Sequence, residues 1–231
     1  MTTTEEPGSA VEAAPRRTCA LGATGRYVAR RVATLQEGRH RSRVVAALAH
    51  LRANVGKEPG SDPAVWWLTV DGVPGVPRGD EPTREERAVH ATLTLFAVHQ
   101  QARSEGMHRP GVGLGHAVAR LERAGDGVDD ERPSPVRRRF DAVVTATDVA
   151  EATHHLRGLI AQMRGAGVGL DYGGLADDLV DFQAPERQDD VRRRWARQFY
   201  HQDTEDRVDG IEAAVASIPA DQRNDTTEEH Q

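Results

Sequence analysis

Apolar residues recur through most of this chain three and four positions apart, the spacing that lines one side of an α-helix. Val28, Val32 and Leu35 mark a first helix from about Thr24 to Glu37, stopped by Gly38. Val44, Leu48, Leu51 and Val55 mark a second, with Ser42 as its expected cap and Gly56 just past its end. Residues 57–82 carry five prolines and four glycines and read as a long connector. Within it Ala64-Val65-Trp66-Trp67-Leu68 is apolar enough to be expected against the core. Thr83-Arg84-Glu85-Glu86 is a capping box. The helix it opens, to about Ser104, is apolar nearly all round through Val89, Leu93, Leu95, Phe96 and Val98, and is expected at the centre of the fold.

Leu114, Ala117, Val118 and Leu121 set a short helix ending at Gly125. Ser134-Pro135 supplies a cap and a first-turn proline for the next, with Val136, Phe140, Val143 and Val144 inward. Val149, Ala152, Leu156, Leu159, Ile160 and Met163 share one face of a further helix, which Gly165 is expected to end. Leu175, Leu179 and Phe182 define another, closed before Pro185, and Val191, Trp195 and Phe199 define the last. Strand-like alternation is nearly absent. The pattern predicts an all-α protein of two small helical bundles packed together, 21–125 and 133–202, with a disordered arm at 1–20 and an acidic tail at 203–231.

Composition agrees with that picture and trims the chemistry available to it. At 231 residues with 38% apolar residues the chain is long enough for a real core, and with only 4% aromatics that core must be aliphatic. Cys19 is the only cysteine, which excludes a disulfide framework and a thiolate metal cage. No apolar run approaches the ~18 residues of a membrane span, and the N-terminus lacks a signal-peptide core, so a soluble cytoplasmic protein with no membrane partner is expected.

Charge changes the picture more. The net −6 conceals a block from Arg16 to Lys57 with ten bases and one acid, and a stretch from Asp203 onward with nine acids and two arginines. Twenty-nine of the thirty bases are arginine, the side chain suited to bidentate phosphate contacts, although a GC-rich genome alone produces such a bias. The tail's −7 balance raises the further expectation that it shields basic faces until assembly.

No enzyme signature emerges. Gly111-Val112-Gly113-Leu114-Gly115 lacks the spacing and the preceding strand of a nucleotide-binding loop and reads as a helix start. Asp177 and Asp181 point away from the Leu175/Leu179/Phe182 stripe, as a solvated face does; a metal-dependent nuclease built on them is the minor alternative. His154 and His155 are adjacent and diverge on a helix, so they cannot chelate one metal. Neither a catalytic residue, a metal ligand set nor a cofactor is expected.

The arginines are the better candidates. Around Phe140, Arg137, Arg138 and Arg139 fan out at about 60°, 160° and 260°, a ridge able to reach several phosphates. Arg157 and Arg164, seven residues apart, share a helix edge about 10.5 Å long. Arg193, Arg194 and Arg197 lie mostly opposite Val191 and Trp195, and the N-terminal block adds Arg41, Arg43 and Arg52. A solvated surface position is the ordinary reading of any single one; together they predict polyanion binding. With few aromatics to stack bases and no recognition helix, backbone tracking without sequence readout is expected. A free-standing helical nucleic-acid-binding regulator fits the same charges but lacks that recognition helix.

Several blocks also resemble the CasB family, the small subunit of the type I-E CRISPR surveillance complex, Cascade. They are Leu93-Thr94-Leu95-Phe96-Ala97-Val98-His99-Gln100-Gln101, Met107-His108-Arg109-Pro110-Gly111-Val112-Gly113-Leu114-Gly115, Val136-Arg137-Arg138-Arg139-Phe140, His154-His155-Leu156-Arg157-Gly158-Leu159-Ile160, Leu170-Asp171-Tyr172 and Val191 to Tyr200. They lie in order over about 40–202. The resemblance implies a non-catalytic all-α subunit, present in two copies beside other Cascade subunits, the guide RNA and the target strand, that helps hold the displaced DNA strand of an R-loop. It implies nucleic-acid contacts at Arg137, Arg138, Arg139 and Arg157, then at Arg41, Arg43 and Arg52, with Arg103 just after the His-Gln-Gln run.

Overall fold

The Thr83 side chain accepts from the Glu86 amide while the Glu86 carboxylate accepts from the Thr83 amide, so the capping box opens α4 (Arg84–His99) as its sequence requires. In this computed structural model, which describes residues 20–125 and 133–200, α4 follows α1 (Ala23–Glu37), α2 (Ser42–Ala53) and α3 (Pro63–Thr69). It precedes α5 (Leu114–Arg123), α6 (Pro135–Thr145), α7 (Val149–Ala166), α8 (Tyr172–Phe182) and α9 (Pro185–Tyr200). The protein is all-α: among the described residues the only strand-like pairing is an isolated bridge between His108 and Leu170. The expected disordered arm with Cys19, the joint between the bundles and the acidic tail lie outside the described residues.

Three boundaries differ from expectation for local reasons. Ser42 is the first residue of α2 rather than its cap, and Arg41 takes the cap position without a side-chain bond. Helix α4 stops at His99 instead of near Ser104, because the Gln100 side-chain amide donates to the Arg103 and Glu105 carbonyls at 3.1 and 2.8 Å and holds a turn there. Helix α7 runs past Gly165 to Ala166 and ends on Gly167, whose φ of 70° is the left-handed conformation a terminating glycine supplies.

One buried cluster draws on both sides of the 126–132 joint. Helix α4, apolar nearly all round, packs against α2, α7 and α8 and is the centre of the fold. Helix α1 lies on α8, close enough that a Cβ on Gly25 would stand 2.7 Å from the Gly173 carbonyl oxygen. Helix α5 lies on α9, where a Cβ on Gly115 would run into the Trp195 carbonyl oxygen.

The blocks that carry the family resemblance build this scaffold. His99 Nδ1 pairs with the buried Tyr172 hydroxyl at 2.8 Å. The Leu170 amide donates to the Met107 carbonyl, the Arg109 amide donates to the Leu170 carbonyl, and Asp171 caps α8 while accepting from the Gly111 amide. These loop-to-loop bonds tie the turn before α5 to the turn before α8.

One side-chain placement overturns expectation and another sharpens it. Asp177 is half-buried and is engaged instead of simply solvated: its carboxylate accepts from the Gly22 and Gly25 amides at 2.7 Å each, capping α1 from another helix. Its partners lie more than 150 residues away, beyond the reach of the stripe on its own helix. Helix α3 docks on the core as expected, through Val65, Leu68 and Thr69, while Trp66 and Trp67 are each 49% exposed.

Candidate nucleic-acid interface

The sequence's arginine ridges separate, in the fold, into those already occupied and those left open. Arg137 is occupied: its guanidinium lies over the rings of Phe199 and Tyr200 at 5.0 and 4.8 Å, donates to the Tyr200 hydroxyl and reaches Asp141 at 3.4 Å. It clamps α6 to the end of α9. On α9, Arg194 is paired with Asp178 and lies 3.9 Å from Asp181, Arg193 is paired with Asp190 and Arg192 with Asp189. Most of the charge on that ridge is thereby matched at home.

The opposite holds along α7. Arg157 is exposed, with no hydrogen bond or ion pair for its guanidinium among the described residues. Arg139 is exposed and bonds only the Pro135 carbonyl at 3.4 Å, and Arg138 bonds only the Pro133 carbonyl at 2.8 Å. The Arg139 stem crosses α7 over Gly158, where a Cβ would meet it at 3.6 Å. A glycine inside the helical pattern of α7 is the one mark this crossing leaves in the sequence. Farther along, Arg164 donates to the Gln101 side chain at 2.9 Å and to the Val98 carbonyl at 3.5 Å. Arg103 comes within 3.0 Å of where a Cβ of Gly167 would stand. Arg139, Arg157, Arg164 and Arg103 thus follow one another on or beside α7, the last two at its negative C-terminal end.

A second group stands on and just before α2. Arg41 and Arg43 are exposed and Arg52 is half-buried, and none has a side-chain partner among the described residues. Arg52 sits with His50 in the last turn of α2, where a positive charge complements the helix dipole.

The titratable groups near the row are buried members of the core. Burial lowers the pKa of His90 and His108 and takes His99 down to about 4, so these rings are neutral core members near pH 7. Asp178 accepts from the Trp195 indole at 2.6 Å, and burial pushes its carboxyl up to about 6 against the pull of Arg194. Among the described residues no three His, Cys, Asp or Glu side chains are grouped to hold a metal, and no helix is long and apolar enough to cross a membrane. What the arrangement can do is present fixed positive charge in a row whose spacing is set by a rigid helix.

A family model described as CRISPR-associated protein Cse2 matches residues 47–200. The chain belongs to the CRISPR-associated Cse2 family. A Cse2 protein of Thermus thermophilus is 30% identical over 155 residues, 67% of this chain and 79% of that protein. The crystal structure of CasB from Thermobifida fusca superposes with a TM-score of 0.66 at 35% identity, covering 78% of this chain and 99% of that one. CasB from M. ruber shares the fold, with a TM-score of 0.55 at 21% identity over 77% of this chain and 97% of its own. The Cse2 match begins inside α2 and takes in α3 to α9, so the whole α7 row lies within it, whereas α1, Arg41 and Arg43 precede the matched region.

Proposed function

We propose that this Cse2-family chain is the non-catalytic small subunit of a type I-E Cascade complex, where it holds nucleic-acid backbone and stabilises the R-loop. The observation that carries this reading is the row along α7, in which Arg139 and Arg157 are exposed and have no carboxylate partner. Open guanidiniums at fixed spacing suit phosphates. In an RNA-guided complex, base pairing supplies the sequence information, so a subunit with no base-reading element still contributes. Strand exchange in R-loop formation is nearly balanced in free energy, and a few phosphate contacts tip it. The partners in this reading are the guide RNA, the target and displaced DNA strands, the other Cascade subunits and a second copy of the chain. Arg138, Arg164 and Arg103 extend the row, and Arg41, Arg43 and Arg52 form a second contact region. Arg137 contributes by holding α6 in place.

The test is a reconstituted complex carrying Arg139→Ala and Arg157→Ala. R-loop yield is expected to fall, and the slope of log affinity against log salt for a single strand to drop by about 1.4, at about 0.7 for each phosphate no longer neutralised. Arg193→Ala, which removes an exposed arginine already paired with Asp190, is expected to leave both unchanged. Equal yield and slope in the double variant and the parent would refute the assignment.

A further inference from the structure

Trp66 and Trp67 are two of only three tryptophans in the chain, and both stand half in water. Beside Trp67, α1, α2 and α3 enclose a groove of about 270 Å³. Leu35, Val44 and Leu68 line its floor, Arg31 and Arg43 flank it, and no carboxylate lines it. Arg43 has no side-chain partner among the described residues, and Arg31 is drawn toward the Tyr27 ring at 5.1 Å. An apolar floor with a cationic rim fits an amphipathic segment that carries acids.

The chain contains such a segment. Within 203–218, Val208, Ile211, Val215 and Ile218 fall three, four and three residues apart, among Asp203, Glu205, Asp206, Asp209 and Glu212, with Arg207 the only base and Pro219 immediately after. The other acidic terminus, 1–15, carries three acids but no comparable apolar series. Reach is sufficient. Val208, the first of the apolar series, lies eight residues beyond Tyr200, a span of up to about 26 Å at ~3.3 Å per residue. Helix α9 packs on α8, and α8 packs on α1, whose Leu35 lines the groove. Two helix spacings amount to only about 20 Å.

We infer that residues 208–218, reached through 201–207, dock in the groove between α1, α2 and α3, with the Val208/Ile211/Val215/Ile218 series against Trp67 and the apolar floor and the acids facing Arg31 and Arg43. Docking covers the exposed indole and withdraws the α1–α2 arginines from polyanions. The inference does not depend on the α7 row.

Fluorescence quenching by acrylamide tests it in the full chain with Trp66→Phe, which leaves Trp67 as the accessible indole because Trp195 is fully buried. Adding Ile211→Asp and Val215→Asp removes two apolar anchors and is expected to weaken docking on the order of a hundredfold. Trp67 quenching should rise accordingly, with far-UV helicity of the core retained. Arg43→Glu in the same background should also raise quenching, and added salt should raise it in the parent. Quenching that is unchanged by Ile211→Asp/Val215→Asp would overturn the inference. So would protection of Trp67 that disappears on dilution, which would make a second copy the occupant.

Discussion

Asp178 offers the sharpest test of how this core is held. The residue is 7% exposed, and its carboxylate accepts from the Trp195 indole at 2.6 Å and pairs with Arg194. Burial nevertheless dominates and raises its pKa from 3.8 to about 6. The folded state thus holds this proton more tightly than the unfolded chain does. The contribution to stability is full below about pH 3.8 and is lost as pH rises through about 6. At ~1.36 kcal/mol per pH unit the whole effect is about 3 kcal/mol, of which about 2 kcal/mol falls between pH 4.5 and 7.5. Asp178→Asn keeps the shape and an acceptor but cannot titrate. In urea unfolding followed by circular dichroism, the parent's stability relative to Asp178→Asn should fall by about 2 kcal/mol across that range. That is about 1 M in midpoint if the slope is near 2 kcal/mol per M. Taking the difference cancels the other titrating groups. Parallel pH profiles for the two proteins would refute the reasoning.

Two further substitutions probe the helix contacts, and a third probes a helix interior. Asp177→Ala leaves the Gly22 and Gly25 amides without their acceptor and should cost about 2 kcal/mol in urea unfolding, with faster amide exchange through α1; Asp177→Asn should cost less than half as much. Gly115→Ala drives a methyl into the Trp195 carbonyl and the Phe199 amide of α9, and should lower stability by about 1–3 kcal/mol in the same assay. Gly165→Ala, with nothing within 4 Å of its new carbon, should raise the thermal midpoint by the helix propensity gained, up to about 1 kcal/mol.

Whatever is written locally was legible in the sequence. The box at Thr83 to Glu86 and the cap at Ser134 each satisfy amides within three residues, so spacing alone revealed them. The buried faces of α1, α4 and α7 follow from apolar period for the same reason. What stayed hidden depends on distant partners. Asp177 looked solvated because Gly22 and Gly25 arrive from the other end of the chain. The docking of α3 was legible, but apolar content does not say which side of a two-turn helix meets the core, so the exposure of Trp66 and Trp67 was not. Arg137 and Arg157 are alike in sequence, yet one is absorbed by Tyr200, Phe199 and Asp141 while the other stands open. Charge patterning located the arginines, and only the fold sorted the structural ones from the free ones.

The capping of α1 from α8 bears on how the protein is made. Gly25 and its acceptor are 152 residues apart, so at ~5–20 residues per second a ribosome adds Asp177 roughly 8–30 s after Gly25. Through that interval the first helix lacks its cap and α8, although α2, α3 and α4 already offer partners to Leu35 and Tyr27. A chain cut short before α8 leaves the Gly25 face of α1 without its partner helix. Closure of the first helix therefore waits on a segment 152 residues downstream of Gly25, and a truncated subunit carries an uncapped helix end that proteases can attack.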